Sequence, residues 1–181
     1  MYNFIYFYKM GQHQSSINST LSKSFDLSKY IGTWYEIARF PLVWESKCIN
    51  ATAKYILDET GNAISVENTC ILQDGSSYSR KGIAFLAEGE QSKNHLKLIF
   101  NDGLPADGLS DYWVLDTDYC NYALVGNEKR NHLWVLSRRP MMSYCVYSAL
   151  KNLAQNVYRY DTNKLTLHPN TIVPCIDANI V

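Results

Sequence analysis

The sequence predicts an all-β protein: an eight-stranded antiparallel up-and-down β-barrel with one C-terminal α-helix packed outside. Three observations predict it. Short strand-like runs follow one another every 8–16 residues or so, with turn residues between them and no helical pattern interrupting. Several of the runs alternate apolar and polar residues, so one face of the sheet is buried and the other solvated. The one strong helical periodicity comes after the last run.

The runs are Thr33–Phe40, Ala51–Leu57, Ala63–Leu72, Tyr78–Glu88, His95–Asn101, Asp111–Asp116, Asn121–Gly126 and His132–Ser137. Gly61, Asp74-Gly75, Asp102-Gly103 and Asn127-Glu128 supply turns between them. Alternation is clearest in three runs. Ala53, Tyr55 and Leu57 share a face opposite Lys54. Ile64, Val66, Asn68 and Cys70 share a face opposite Ser65, Glu67 and Thr69, and Leu96, Leu98 and Phe100 oppose Lys97. The fourth and sixth runs do not resolve. Leu133, Trp134, Val135 and Leu136 are apolar without alternation, which predicts burial on both faces. The covering element is the segment after Pro140, where Val146, Ala149, Leu150, Leu153, Ala154 and Val157 recur at helical spacing behind an N-cap at Ser143. A short extended segment, Lys164–His168, follows. Closing the eight strands removes exposed edges and leaves room for side chains or one small ligand.

Composition narrows the function. The chain has 181 residues, 46% hydrophobic and 19% charged, with zero formal net charge. It has no basic run for nucleic acid, and no apolar stretch reaches the roughly 18 residues of a membrane helix. Residues 1–25 read as a disordered or targeting segment, 26–170 as the barrel with its helix, and 171–181 as a tail. The apolar run Tyr2–Tyr8 is short for a signal sequence and lacks a basic flank and an A-x-A site, and no Cys precedes Cys48 to carry a lipid.

Three short motifs then carry a resemblance. Gly32-Thr33-Trp34 opens the first run, Thr117-Asp118-Tyr119 joins the sixth to the seventh, and Arg138 closes the eighth. Their order and strand positions resemble the signature of the lipocalin family, over residues of about 26–170. "TWYEIARF", "DYWVLDTDY" and "LWVLSRRP" look most like its bacterial outer-membrane and apolipoprotein D branch. The resemblance implies a calyx that binds, stores or transports a fatty acid, lysophospholipid or sterol-like lipid. It implies a scaffold role for Gly32, Trp34, Thr117, Asp118, Tyr119 and Arg138, with Arg138 over the Trp34 ring at the narrow end. It also implies an exported protein, whether secreted, periplasmic or associated with an outer membrane.

Strand parity turns Tyr55, Val66, Asn68, Cys70, Leu98, Phe100 and Trp134 toward the calyx, and the resemblance adds Tyr112. Such a lining suits a small hydrophobic ligand. The mouth would be ringed by the connections 41–49, 73–77, 102–110 and 127–131. Leu42, Val43 and Trp44 on the first of them form an apolar lid, a docking surface for a membrane or partner, or local packing over the rim. The resemblance pairs Cys48 with Cys175, leaves Cys120 and Cys145 either bridged or free, and leaves Cys70 as a thiol in the calyx.

No nucleotide, hydrolase or metalloprotease motif is present. The four histidines lack ligand spacing, and His95 and His132 read as surface residues at strand starts. Glu36 reads as a hydrogen-bonded structural carboxylate. The one enzyme reading uses Cys70, which has no nameable base or cationic neighbour to make it a thiolate. The expectation is a lipid binder without catalysis, cofactor or metal, acting as a monomer or weak dimer.

Overall fold

The structure, a computed structural model, describes residues 25–87, 94–102 and 110–175. The expected N-terminal segment, most of the 102–110 connection and the end of the tail lie outside these residues. A one-turn helix α1 (Leu27–Tyr30) precedes eight strands: β1 (Gly32–Arg39), β2 (Asn50–Leu57), β3 (Ala63–Ile71), β4 (Ser77–Leu86), β5 (His95–Phe100), β6 (Ser110–Thr117), β7 (Tyr122–Gly126) and β8 (Leu133–Ser137). Each strand pairs antiparallel with the next, and β1 pairs with β8, so the sheet closes into the expected barrel. Helix α2 (Tyr144–Asn156) lies outside. Two-residue strands follow a simple logic: β9 (Met142–Ser143) pairs in parallel with β11 (Ile172–Val173), and β10 (Thr166–Leu167) adds to β1.

Two cores form because β1 and the later strands are buried on both faces. One lies inside the barrel around Trp34, Tyr30, Leu96 and Val125. The other lies between the barrel wall and α2, where Leu133, Val135 and Leu124 meet Tyr147, Leu150 and Ala154. The unalternating eighth run has this cause: Leu133 and Val135 face the helix, whereas Trp134 and Leu136 face inward. Ser143 caps α2 by accepting from the Val146 amide. The helix is rotated from the stripe read in the sequence, because Val146 and Val157 are exposed and Tyr147 takes the buried position.

One irregularity positions the site. In the β1–β8 pairing the register shifts between Glu36 and Ala38, so Ile37 is an extra residue. Such a bulge flips the alternation beyond it. Glu36 lies opposite Leu136 and Arg39 opposite Trp134, so both project to the calyx side, while Ile37, Ala38 and Phe40 join the core under α2.

The cysteines pair differently from the expectation. Cys48 bonds Cys70, and Cys145 bonds Cys175, with Cα–Cα distances of 5.4 and 5.5 Å. The topology gives the reason. Cys48 ends the mouth loop beside the rim end of β3, where the Ile49 amide donates to the Ile71 carbonyl. The β9–β11 pairing sets Cys175 beside the start of α2, not beside the mouth loop. Cys120 is an exposed free thiol, so it does not bridge to Cys145. Cys70 is not a free thiol either, which removes the thiol-enzyme reading.

A candidate ligand-binding calyx

The closed end is built from the three motifs. Gly32 adopts φ +94°, a left-handed value that costs glycine little, and a Cβ there would come within 3.2 Å of the Arg138 guanidinium. Trp34 is fully buried and donates its Nε1–H to the Tyr30 carbonyl at 2.9 Å. The Arg138 guanidinium carbon lies 3.7 Å from the centre of the Trp34 ring. Its nitrogens donate to the carbonyls of Tyr119, Thr33 and Lys29 at 2.9–3.2 Å, so one side chain ties α1, β1 and the β6–β7 turn together. In that turn Asp118 Oδ1 accepts from the amides of Cys120, Asn121 and Tyr122. Burial would raise its carboxyl, but the Asn121 side-chain amide, which donates to Oδ2, and these backbone bonds outweigh it and hold it below the usual range. Thr117 donates to the Tyr122 carbonyl, and the Tyr119 hydroxyl accepts from the Asp26 amide.

Above this plug the barrel holds a cavity of about 360 Å³. Of the residues expected in the lining, Tyr55, Asn68, Leu98, Phe100, Tyr112 and Trp134 surround it. Val66 lines a smaller recess below, with Tyr55, Asn68 and Tyr112. Cys70 faces inward by register but is buried in its disulfide at the rim and does not line the cavity. Leu42, Val43 and Trp44 all border the mouth. Trp44 is held there: its ring packs edge-on against Tyr78 at 5.3 Å, and the Tyr78 hydroxyl donates to its carbonyl at 2.6 Å. Val43 is the exposed member, at 95%.

The wall also carries charged residues that sequence patterning passed over. Arg39 sits between two carboxylates, its Nε 3.0 Å from Glu36 Oε1 and 2.7 Å from Glu45 Oε2. Neither approach has hydrogen-bond geometry, so these are electrostatic contacts. Glu36 also hydrogen-bonds His168 Nε2 at 2.7 Å, as a structural carboxylate should. His168 reaches it because its own amide donates to the Ile37 carbonyl, directly after β10 has joined β1. All four side chains are buried. Across the mouth, Arg80 lies 3.7 Å over the Phe100 ring and bonds Asp102 through two nitrogens. The surface reading of the two histidines does not hold. His95 is buried, stacked 4.0 Å from the Trp113 ring and bonded to Asp111, because Trp113 is its cross-strand neighbour. His132 lines the cavity and stacks on Trp134.

The crowding of one cation by two carboxylates has a measurable consequence. Burial first, and the Glu36 charge second, push Glu45 up from 4.5 to about 8, against the pull of Arg39. The folded protein thus holds a proton on Glu45 that the unfolded chain releases above about pH 4.5. The resulting stability is complete below that pH and is lost as pH rises toward 8. Urea melts at pH 5 and pH 8 should show this loss in the native chain and a clearly smaller one in Glu45→Gln. An equal loss in both would refute it.

A closed antiparallel barrel, plugged at one end and hollow at the other, defines a cup-shaped binding protein. Comparison with known proteins supplies the family. A family model described as a lipocalin-like domain matches residues 25–170. Apolipoprotein D of Cavia porcellus is 33% identical over 159 residues, covering 83% of this chain and 79% of its own. The outer membrane lipoprotein Blc of Citrobacter freundii is 37% identical over 125 residues, 68% of each chain. Among solved structures, insecticyanin from the tobacco hornworm Manduca sexta shares the fold, with a TM-score of 0.63 at 22% identity over 84% of this chain and 88% of its own. The chain belongs to the lipocalin family, which binds small hydrophobic ligands.

Proposed function

We propose that this chain binds and carries a lipid of the fatty-acid, lysophospholipid or sterol-like class in the barrel, admitted past the Leu42–Trp44 loop. The cavity carries the reading: a space of about 360 Å³, open at the mouth, walled mainly by apolar and aromatic side chains and stopped below by Trp34. Each buried CH₂ contributes roughly 0.8 kcal/mol, enough for a long chain to bind without an ion pair. Carriage rather than catalysis is favoured because the one thiol considered as a nucleophile, Cys70, is oxidised and lies outside the cavity lining. Export is favoured by two disulfides, which persist in oxidising compartments.

Titration with a fluorescent fatty acid should give saturable binding at micromolar concentration or below. Ala53 faces the cavity opposite Asn68, so Ala53→Trp fills the space and should weaken binding at least tenfold while unfolding stays cooperative. The absence of saturation in the native chain, or undiminished binding in Ala53→Trp, would overturn the reading.

A further inference from the structure

The floor of the calyx holds hydrogen-bonding groups that the protein leaves unused. Three phenols meet there. Tyr112 Oη lies 2.7 Å from Tyr30 Oη and 2.9 Å from Tyr55 Oη. Each contact uses one hydrogen, and three hydroxyls carry three, so one O–H is left without an acceptor among the described residues. Burial keeps all three protonated: Tyr55 is pushed up to about 12, and Tyr30 and Tyr112 are raised well above their ordinary value. Beside them Asn68 Oδ1 is buried and accepts from no donor among the described residues. Tyr55, Tyr112 and Asn68 line one recess of about 20 Å³, otherwise walled by Ile64, Val66, Ala84 and Leu98. That is room for a single oxygen-sized group. When the Tyr30 phenol donates to Tyr112, the spare O–H falls on Tyr112 or Tyr55, both of which line the recess. That donor together with the Asn68 oxygen matches a hydroxyl, which can accept from the phenol and donate to the amide oxygen.

The charges above the recess point the same way. Arg39 is flanked by Glu36 and Glu45, Arg80 is paired with Asp102, and Lys97 with Asp111. Burial lowers the pKa of His132, so its ring is neutral at pH 7. Each of these cations already has an anionic partner among the described residues, which a ligand carboxylate or phosphate would have to displace. An ionised head would also be expelled from an apolar recess.

We propose that the calyx selects a neutral lipid alcohol, bound polar end down, with its hydroxyl in the recess between the Tyr112–Tyr55 pair and Asn68. This deepens the carrier reading and rests on the calyx being the ligand site. The full chain is titrated at pH 8 by probe displacement with 1-dodecanol, dodecane and dodecanoate, and the alcohol and alkane are repeated with Asn68→Leu and Tyr112→Phe. The alcohol should bind about tenfold more tightly than the alkane, the sum of two neutral hydrogen bonds against their loss to water. Each variant should cut that preference to about threefold or less while changing alkane affinity little. Equal binding of alcohol and alkane, or a preference that survives both substitutions, would overturn the recess and leave the carrier reading standing. Tighter binding of dodecanoate than of dodecanol would overturn the neutral head group. Failure of all three to bind would overturn the carrier reading together with the recess.

Discussion

Trp34→Ala is expected to destabilise the fold by about 3–5 kcal/mol, the range for emptying a large aromatic site in a core. Trp34 has no exposed surface and packs against Tyr30, with ring centres 5.2 Å apart. Its loss also strips the Arg138 guanidinium of its ring, a contact worth about 0.5–2 kcal/mol. The Tyr30 carbonyl loses the indole donor as well. In a domain of this size the melting temperature should fall by roughly 10 °C or more. Thermal denaturation followed by near-ultraviolet circular dichroism checks it. Trp44→Ala is the control: that residue covers the rim rather than filling the floor, and its cost should be about 1 kcal/mol. A Trp34→Ala protein that melts within 2 °C or so of the native chain would refute the plug.

Arg39→Met should be comparably damaging, at about 3–5 kcal/mol, because it breaks a buried charged cluster from its centre. Without the guanidinium, Glu36 and Glu45 face each other in a buried site with His168 as the remaining partner. The sign of the pH dependence follows. The loss should grow as pH rises toward and past 8, where the native chain begins to release the Glu45 proton and the variant does not. It should be smaller at pH 5, where Glu45 is protonated with or without the guanidinium. Adding Glu36→Gln and Glu45→Gln to the variant should recover at least half of the loss. Paired urea melts at the two pH values decide it. A pH-independent loss would mean that Arg39 acts by packing its stem and not through its charge. The cluster joins the barrel wall, the mouth loop and the strand that follows α2, so its loss should also loosen the loop that carries Trp44.

Local chemistry made much of this protein legible in its sequence. The eight strands were readable because turns rich in Gly, Asn and Asp punctuate runs that alternate with period two. Parity then pointed Tyr55, Val66, Asn68, Leu98 and Phe100 inward, since each lies on a strand without a bulge. The capping Ser143 announced the helix, and only its rotation escaped, because Tyr147, whose hydroxyl keeps it out of an apolar stripe, buries its ring while Val146 and Val157 stay exposed. The charged part of the wall was hidden for a definite reason. A single extra residue at Ile37 reverses the facing of everything beyond it, and nothing in the run from Glu36 to Arg39 marks it.

The disulfides and the polar floor were hidden by distance. Cys175 meets Cys145 because β9 and β11 pair, a contact of two-residue strands too short to show any pattern. His168 meets Glu36 across 132 positions of sequence. Sequence by itself determined the barrel, its closed end and most of the apolar lining, since those follow from period-two burial and three local motifs. Tertiary structure alone decided which cation answers which carboxylate, which thiols join, and where three phenols and one amide oxygen meet beside a small recess. Such pairings depend on angstrom distances between residues that neither spacing nor composition brings together.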